Sequence, residues 1–163
     1  MTNPNPPDSP PPGVSVTGLG AIAAGGGDTA ELWRNLAAGE VNCGPVPDYL
    51  FKTILNFPVF AAPENCLSDR ARALLAETCP DFQAESVSRT ILLALTATAE
   101  ALYQAGIGAA DLRRLRVGIA LGTTVGCTFH NEDYYVAWRD GLAPDLAPVH
   151  YYLGGNVAAA LHR

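Results

Sequence analysis

SRTILLALTATAEALYQAG, residues 88–106, is the stretch on which the fold turns. Ile91, Leu95 and Leu102 share one face at helical spacing, Leu92 and Ala99 widen it, and Gly106 supplies a stop, which predicts a helix over residues 88–105. The charge-free apolar run inside it, bounded by Arg89 and Glu100, is about half of the ~20 residues that a bilayer span requires. It therefore reads as a core helix of a soluble protein. A helix that is apolar on nearly all sides in its middle must be covered from more than one direction, which predicts a layered α/β architecture larger than this chain.

Working outward, residues 14–17 (VSVT) form a short β-prone run that ends at Gly18-Leu19-Gly20 and leads to a Gly25-Gly26-Gly27 turn. Asp28 suits a helix N-cap, with Glu31 three residues on as a variant capping box. Leu32, Trp33, Leu36 and Ala37 give that helix an apolar face before Gly39 ends it. From residue 40 to about 83, prolines at 45, 47, 58, 63 and 80 predict a loop-rich excursion with a short helix over residues 68–77. Downstream, residues 116–121 (RVGIAL) read as a buried strand opening into the GTTVG crossing, residues 122–126. An aromatic helix over residues 131–140 carries Tyr134, Tyr135 and Trp138, and short helical pieces follow over 151–153 and 156–162. Residues 1–13, rich in proline and polar groups, predict a disordered arm.

Composition narrows the function. At 163 residues and 17.1 kDa the chain holds one domain or a piece of one. Only 16% of residues are charged while 48% are apolar, so part of the surface is expected to be buried against something else. Ten basic residues scattered among sixteen acidic ones, for a net charge of −6, exclude a nucleic-acid surface. Cys43, Cys66, Cys79 and Cys127 include no C-x-x-C pair, and residues 1–13 do not read as a signal peptide. Reduced cytoplasmic thiols are expected, with neither metal nor cofactor.

Taken in order, VSVTGLGAIAAGGGD, TAELWRNLAAG, SRTILLALTATAEALYQAGI, RVGIALGTTVG and GGNVAAALHR resemble the first part of a β-ketoacyl synthase from about residue 14 onward. The resemblance implies an α/β fold of the thiolase-like layered α-β-α-β-α type, here incomplete. It also implies decarboxylative Claisen condensation in fatty acid or polyketide/polyene biosynthesis. In that chemistry a cysteine at a helix N-terminus takes an acyl group from an acyl carrier protein, and two histidines assist decarboxylation of a malonyl unit. In the family's order that cysteine and both histidines lie beyond residue 163, so residues 14–163 are expected to end before the nucleophile elbow and to be inactive alone. His130, His150 and His162 match no catalytic position.

What the resemblance carries over is pocket and interface. Val125 matches a position that lines or gates the acyl channel. Pro148, Val149, Tyr152 and Leu153 match a stretch that crosses a two-fold axis to close the partner's pocket, Tyr152 being bulky there. The same residues read equally well as core packing. The expected partners are an acyl carrier protein, a second copy or a ketosynthase-like subunit, and the missing C-terminal part of the synthase. One departure concerns the carrier: the family often begins its long helix with Asp-Arg after basic residues, whereas here Ser88-Arg89 follow DFQAES. Arg70, Arg72, Arg113 and Arg114 are the basic candidates that remain.

Three other readings compete. Gly18-Leu-Gly20-Ala-Ile-Ala23 fits the G-x-G-x-x-A pattern of a dinucleotide-binding Rossmann domain, and Glu40 sits about 20 residues on as a ribose ligand would. Against it, a helix capped at Asp28 starts too late to meet a pyrophosphate. Cys127 with His130 as its base could be a nucleophile pair, although cysteine is more commonly a small buried hydrophobe. Within the family, the chain could be a non-catalytic partner like a chain-length factor, or one piece of a split or cleaved synthase.

Overall fold

The computed structural model describes residues 13–47, 57–123 and 132–143. The helices are α1 (Thr29–Ala37), α2 (Asp69–Thr78), α3 (Arg89–Gln104), α4 (Ala109–Leu112) and α5 (Glu132–Arg139), with a 3-10 turn at Ala84–Ser86. Each of the first three starts where a short polar side chain can take an orphan N–H. Asp28 accepts from Glu31 N at 2.8 Å, Ser68 from Ala71 N at 3.3 Å, and Ser88 from Ile91 N at 3.3 Å. The Glu31 carboxylate reaches back as predicted but takes Gly27 N, one residue before the cap. At the far end of α3, Gly106 adopts a φ of 70°, and the bonds Gly106 N to Tyr103 O and Ile107 N to Leu102 O close the helix. The same pair of bonds closes α1 and α5.

The core lies between α2 and α3. Leu67, Ala71 and Ala99 are buried together, with Leu74, Leu75, Phe82, Leu92 and Leu95 packed around them. Two alanines at the centre let the helices approach closely, and the leucines close the sides. A polar pin registers the pair: the Thr96 hydroxyl, 2% exposed, donates to Cys66 O at 2.6 Å and accepts from Ser68 N at 3.0 Å. Arg89 holds the chain leading into this pin by donating to Ala62 O, Pro63 O and Glu64 O at 2.6–3.0 Å. Ile91 buries on the other side of α3 against Val87, Ala94 and Leu95.

One expectation differs from the described residues: VSVT and RVGIAL are not paired as strands there, and the β-type pairing consists of the isolated bridges Ala23 to Gly26 and Gly44 to Val59. Val14 and Val16 are 96% and 78% exposed, and Val117, Ile119 and Leu121 are exposed as well. A strand exists only through a partner's N–H and C=O groups, and none of the described segments supplies one. Among the described residues α3 therefore packs on α2 rather than on a sheet of VSVT and RVGIAL; its middle is buried or half-buried except at Thr98, and Tyr103 in its last turn is 66% exposed. The apolar face expected on α1 is present but buries no residue; Trp33 and Leu36 stand in the open. The disordered arm predicted for residues 1–13 lies, apart from the exposed Gly13, outside the described residues.

Candidate functional site

The loop at Ala21 and the start of α1 are held by a buried carboxylate. Glu100, on α3 and 4% exposed, accepts from Ala21 N at 2.9 Å through one oxygen and from Thr29 N at 2.9 Å through the other. The Thr29 hydroxyl also donates to it. One turn further along α3, Gln104 accepts from Leu19 N at 3.0 Å and donates to Thr29 Oγ1 at 3.0 Å. Thr29 is the first residue of α1, so the carboxylate sits where the helix leaves N–H groups unpaired and its dipole is positive.

The glycines of the loop fit this arrangement by what they lack. A Cβ on Gly18 would stand 2.0 Å from Ala101 O, and one on Gly20 would stand 1.8 Å from Ala97 O. The chain therefore lies directly on the backbone of α3, closer than any side chain permits. This accounts for the G-x-G spacing without a nucleotide: the glycines serve chain-to-helix packing, and the donors that a pyrophosphate would need at Ala21 and Thr29 already hold Glu100. The helix also starts at Thr29, well past the glycines. The dinucleotide reading fails on both counts.

Beside the loop, Ala23, Gly25, Leu32, Leu36, Glu40 and Phe60 are among the residues lining an open cleft of about 380 Å³. Its rim is stiffened by Asn35, whose side chain donates to Gly25 O at 2.7 Å. No group of three His, Cys, Asp or Glu side chains among the described residues could hold a metal ion. Among the thiols, Cys43 is exposed, Cys66 buried and Cys79 half-buried.

The four arginines weighed for carrier binding are spread out and engaged. Arg70 stands 4.6 Å from the Tyr103 ring centre, Arg72 donates to Asn65, and Arg114 pairs with Asp111 at 2.7 Å. Arg113 donates to Glu77 O near the end of α2, whereas Arg70 and Arg72 lie in its first turn. A helix of 10 residues separates these ends by roughly 15 Å. They form no single basic patch.

Val125, Pro148, Val149, Tyr152 and Leu153 all lie outside the described residues, as do Cys127, His130, His150 and His162. Glu100 was missed as a functional position because it served only to mark the end of an apolar run. The signal was present: a lone acid between Ala99 and Ala101 on a core helix, with Gln104 one turn on, needs donors, and a glycine-rich loop provides them.

Comparison with known proteins settles the family. The model of the β-ketoacyl synthase N-terminal domain matches residues 12–161. The chain belongs to the β-ketoacyl synthase family. Among similar proteins, the tetracenomycin polyketide synthase ketoacyl synthase alpha subunit of Streptomyces glaucescens is 29% identical over 128 residues, covering 78% of this chain and 28% of that protein. A putative polyketide beta-ketoacyl synthase 1 of Streptomyces halstedii is 34% identical over the same shares. Nodulation protein E of Rhizobium meliloti (strain 1021) is 28% identical over 116 residues, 69% of this chain and 26% of the relative. The chain thus spans little more than a quarter of the length of these relatives. No solved structure matches it significantly. As a β-ketoacyl synthase N-terminal portion, the chain confirms the resemblance drawn from its helices and glycine turns. No helix among the described residues is long and apolar enough to cross a membrane.

Proposed function

We propose that the chain is the first part, residues 14–163, of a condensing enzyme of polyketide assembly, and that it supplies scaffold and one wall of an acyl pocket rather than the reacting groups. The family match over residues 12–161 carries this reading. The names of the relatives, ketoacyl synthase alpha subunit and polyketide β-ketoacyl synthases, favour a catalytic synthase over a chain-length-factor-like subunit and polyketide over fatty acid chains.

The chemistry proposed for the whole enzyme runs in two steps. A cysteine thiolate attacks a carrier-bound acyl thioester and expels the carrier thiolate; a malonyl thioester then loses carbon dioxide, and the resulting carbanion attacks the acyl-enzyme carbonyl, releasing the cysteine. Backbone N–H groups hold the developing oxyanion. Within this scheme Val125 borders the acyl channel, and Pro148, Val149, Tyr152 and Leu153 close the channel of a second copy or of a ketosynthase-like partner. VSVT and RVGIAL become strands of the layered thiolase-like sheet once their partners are present, which explains why two apolar runs stand open here. The enzyme is expected to work in the cytoplasm with an acyl carrier protein.

The test is complementation. The chain is mixed with a polypeptide carrying the remainder of the synthase, and condensation of carrier-bound acyl and malonyl groups is followed by release of carbon dioxide. Elongation is expected from the mixture and not from the chain by itself; turnover by the chain unaided would overturn the reading.

A further inference from the structure

We propose that residues 18–40 form a separately opening unit, latched onto α3 by the Glu100 carboxylate, and that the chain exchanges between a docked state and one in which this unit has lifted off while α2 and α3 stay packed. The inference is independent of the proposed function. It starts from where apolar burial is missing. No residue of 18–40 enters either apolar cluster, and α1 buries none of its nine residues. By contrast, Ala71 of α2 and Ala99 of α3 are buried together with Leu67, and the Thr96 pin ties α3 to the chain entering α2.

The unit is well made internally and held externally by polar contacts. Asp28 caps α1, Glu31 takes Gly27 N, Asn35 ties back to Gly25 O, and Ala23 pairs with Gly26, so 23–40 is closed by its own hydrogen bonds. Its long-range hydrogen bonds to α3 converge on two side chains, Glu100 and Gln104, through Leu19, Ala21 and Thr29. Gly18 and Gly20 add contact with the α3 backbone but bring no side chain to bury. Cooperative units with few buried apolar contacts open at lower free energy than the core they rest on. Beyond the unit, the bridge from Gly44 to Val59 tethers the chain to the segment that Arg89 clamps, which leaves residues 41–43 as the place where the movement is taken up.

Native-state amide exchange on the full chain in low urea tests this. Amides of α1 are expected to exchange at least tenfold faster than those of Leu92 to Ala99, through an opening with a weaker urea dependence. In Glu100→Gln, an amide replaces one acceptor oxygen with a donor, and exchange at Ala21 and across α1 should rise a further tenfold or more while α2 and α3 change less than twofold. The proposal is overturned if α1 and α3 exchange through one common opening in the wild-type chain. It is equally overturned if the substitution accelerates both alike, or neither. Should the Gln variant not fold, the wild-type urea series decides the matter unaided.

Discussion

The carboxylate of Glu100 accepts both the backbone N–H and the hydroxyl of Thr29, a residue 71 positions earlier. One side chain of the central helix thereby fixes where α1 begins. The contact joins a distant part of the chain to α3, the central helix, and it does so with hydrogen bonds rather than apolar area.

Replacing Thr29 with Val keeps the shape and deletes the hydroxyl between Glu100 and Gln104. Losing the bond to the carboxylate together with the one accepted from Gln104 is expected to cost about 1.5–3 kcal/mol of docking stability, read as faster amide exchange across α1. Thr29→Ser, which keeps the hydroxyl, should stay near the wild type.

Gly20→Ala places a methyl group 1.8 Å from Ala97 O, a backbone atom held within a helix. The loop must lift, at an expected cost of about 1–3 kcal/mol. Gly118→Ala, where nothing lies within 4 Å of the added carbon, serves as the control and should change stability by less than about 0.5 kcal/mol. Urea unfolding of the two variants, followed with exchange at Ala21, separates the outcomes.

Local signals made the helices legible. Ser68, Ser88 and Asp28 are caps with their partners three residues on, and the stop at Gly106 follows from a residue without a Cβ; α2 and α3 came out within a residue or two of their bounds. The strands did not, because VSVT and RVGIAL carry β-prone side chains but pairing depends on a second segment that local pattern cannot reveal. The exposed face of α1 shows the same limit: spacing identifies Trp33 and Leu36 as a stripe without saying whether anything covers it. The short α4, four residues long, was too brief for any periodicity. For the site, the family's motif order was readable, whereas Glu100 needed the spatial fact that a glycine loop lies on α3.

Thr96→Val leaves the buried Cys66 O and the half-buried Ser68 N without their partner. An uncompensated donor and acceptor should cost about 1–3 kcal/mol, lowering the midpoint of thermal unfolding followed by circular dichroism. Thr96→Ser restores the hydroxyl and should recover most of the loss.

Asp111 caps the turn of α4 by accepting Gly108 N at 3.1 Å, and that bond, followed by the one from Arg114, holds its carboxyl below the usual value. A depressed folded value means that the cap contributes above the ordinary carboxylate range and is lost as pH falls through the folded value. An NMR titration of the Gly108 amide is expected to show a midpoint lower than that of aspartate in an unstructured peptide. Asp111→Asn should remove the step.

The close seating of Gly18 and Gly20 on α3 also has a bearing on how the protein is born. Leu19 meets Gln104 across 85 positions, and a ribosome working at about 5–20 residues per second needs roughly 4–17 s to cover that distance. For those seconds the glycine loop has been made while its landing site is still unwritten, so its docking must wait for the synthesis of α3.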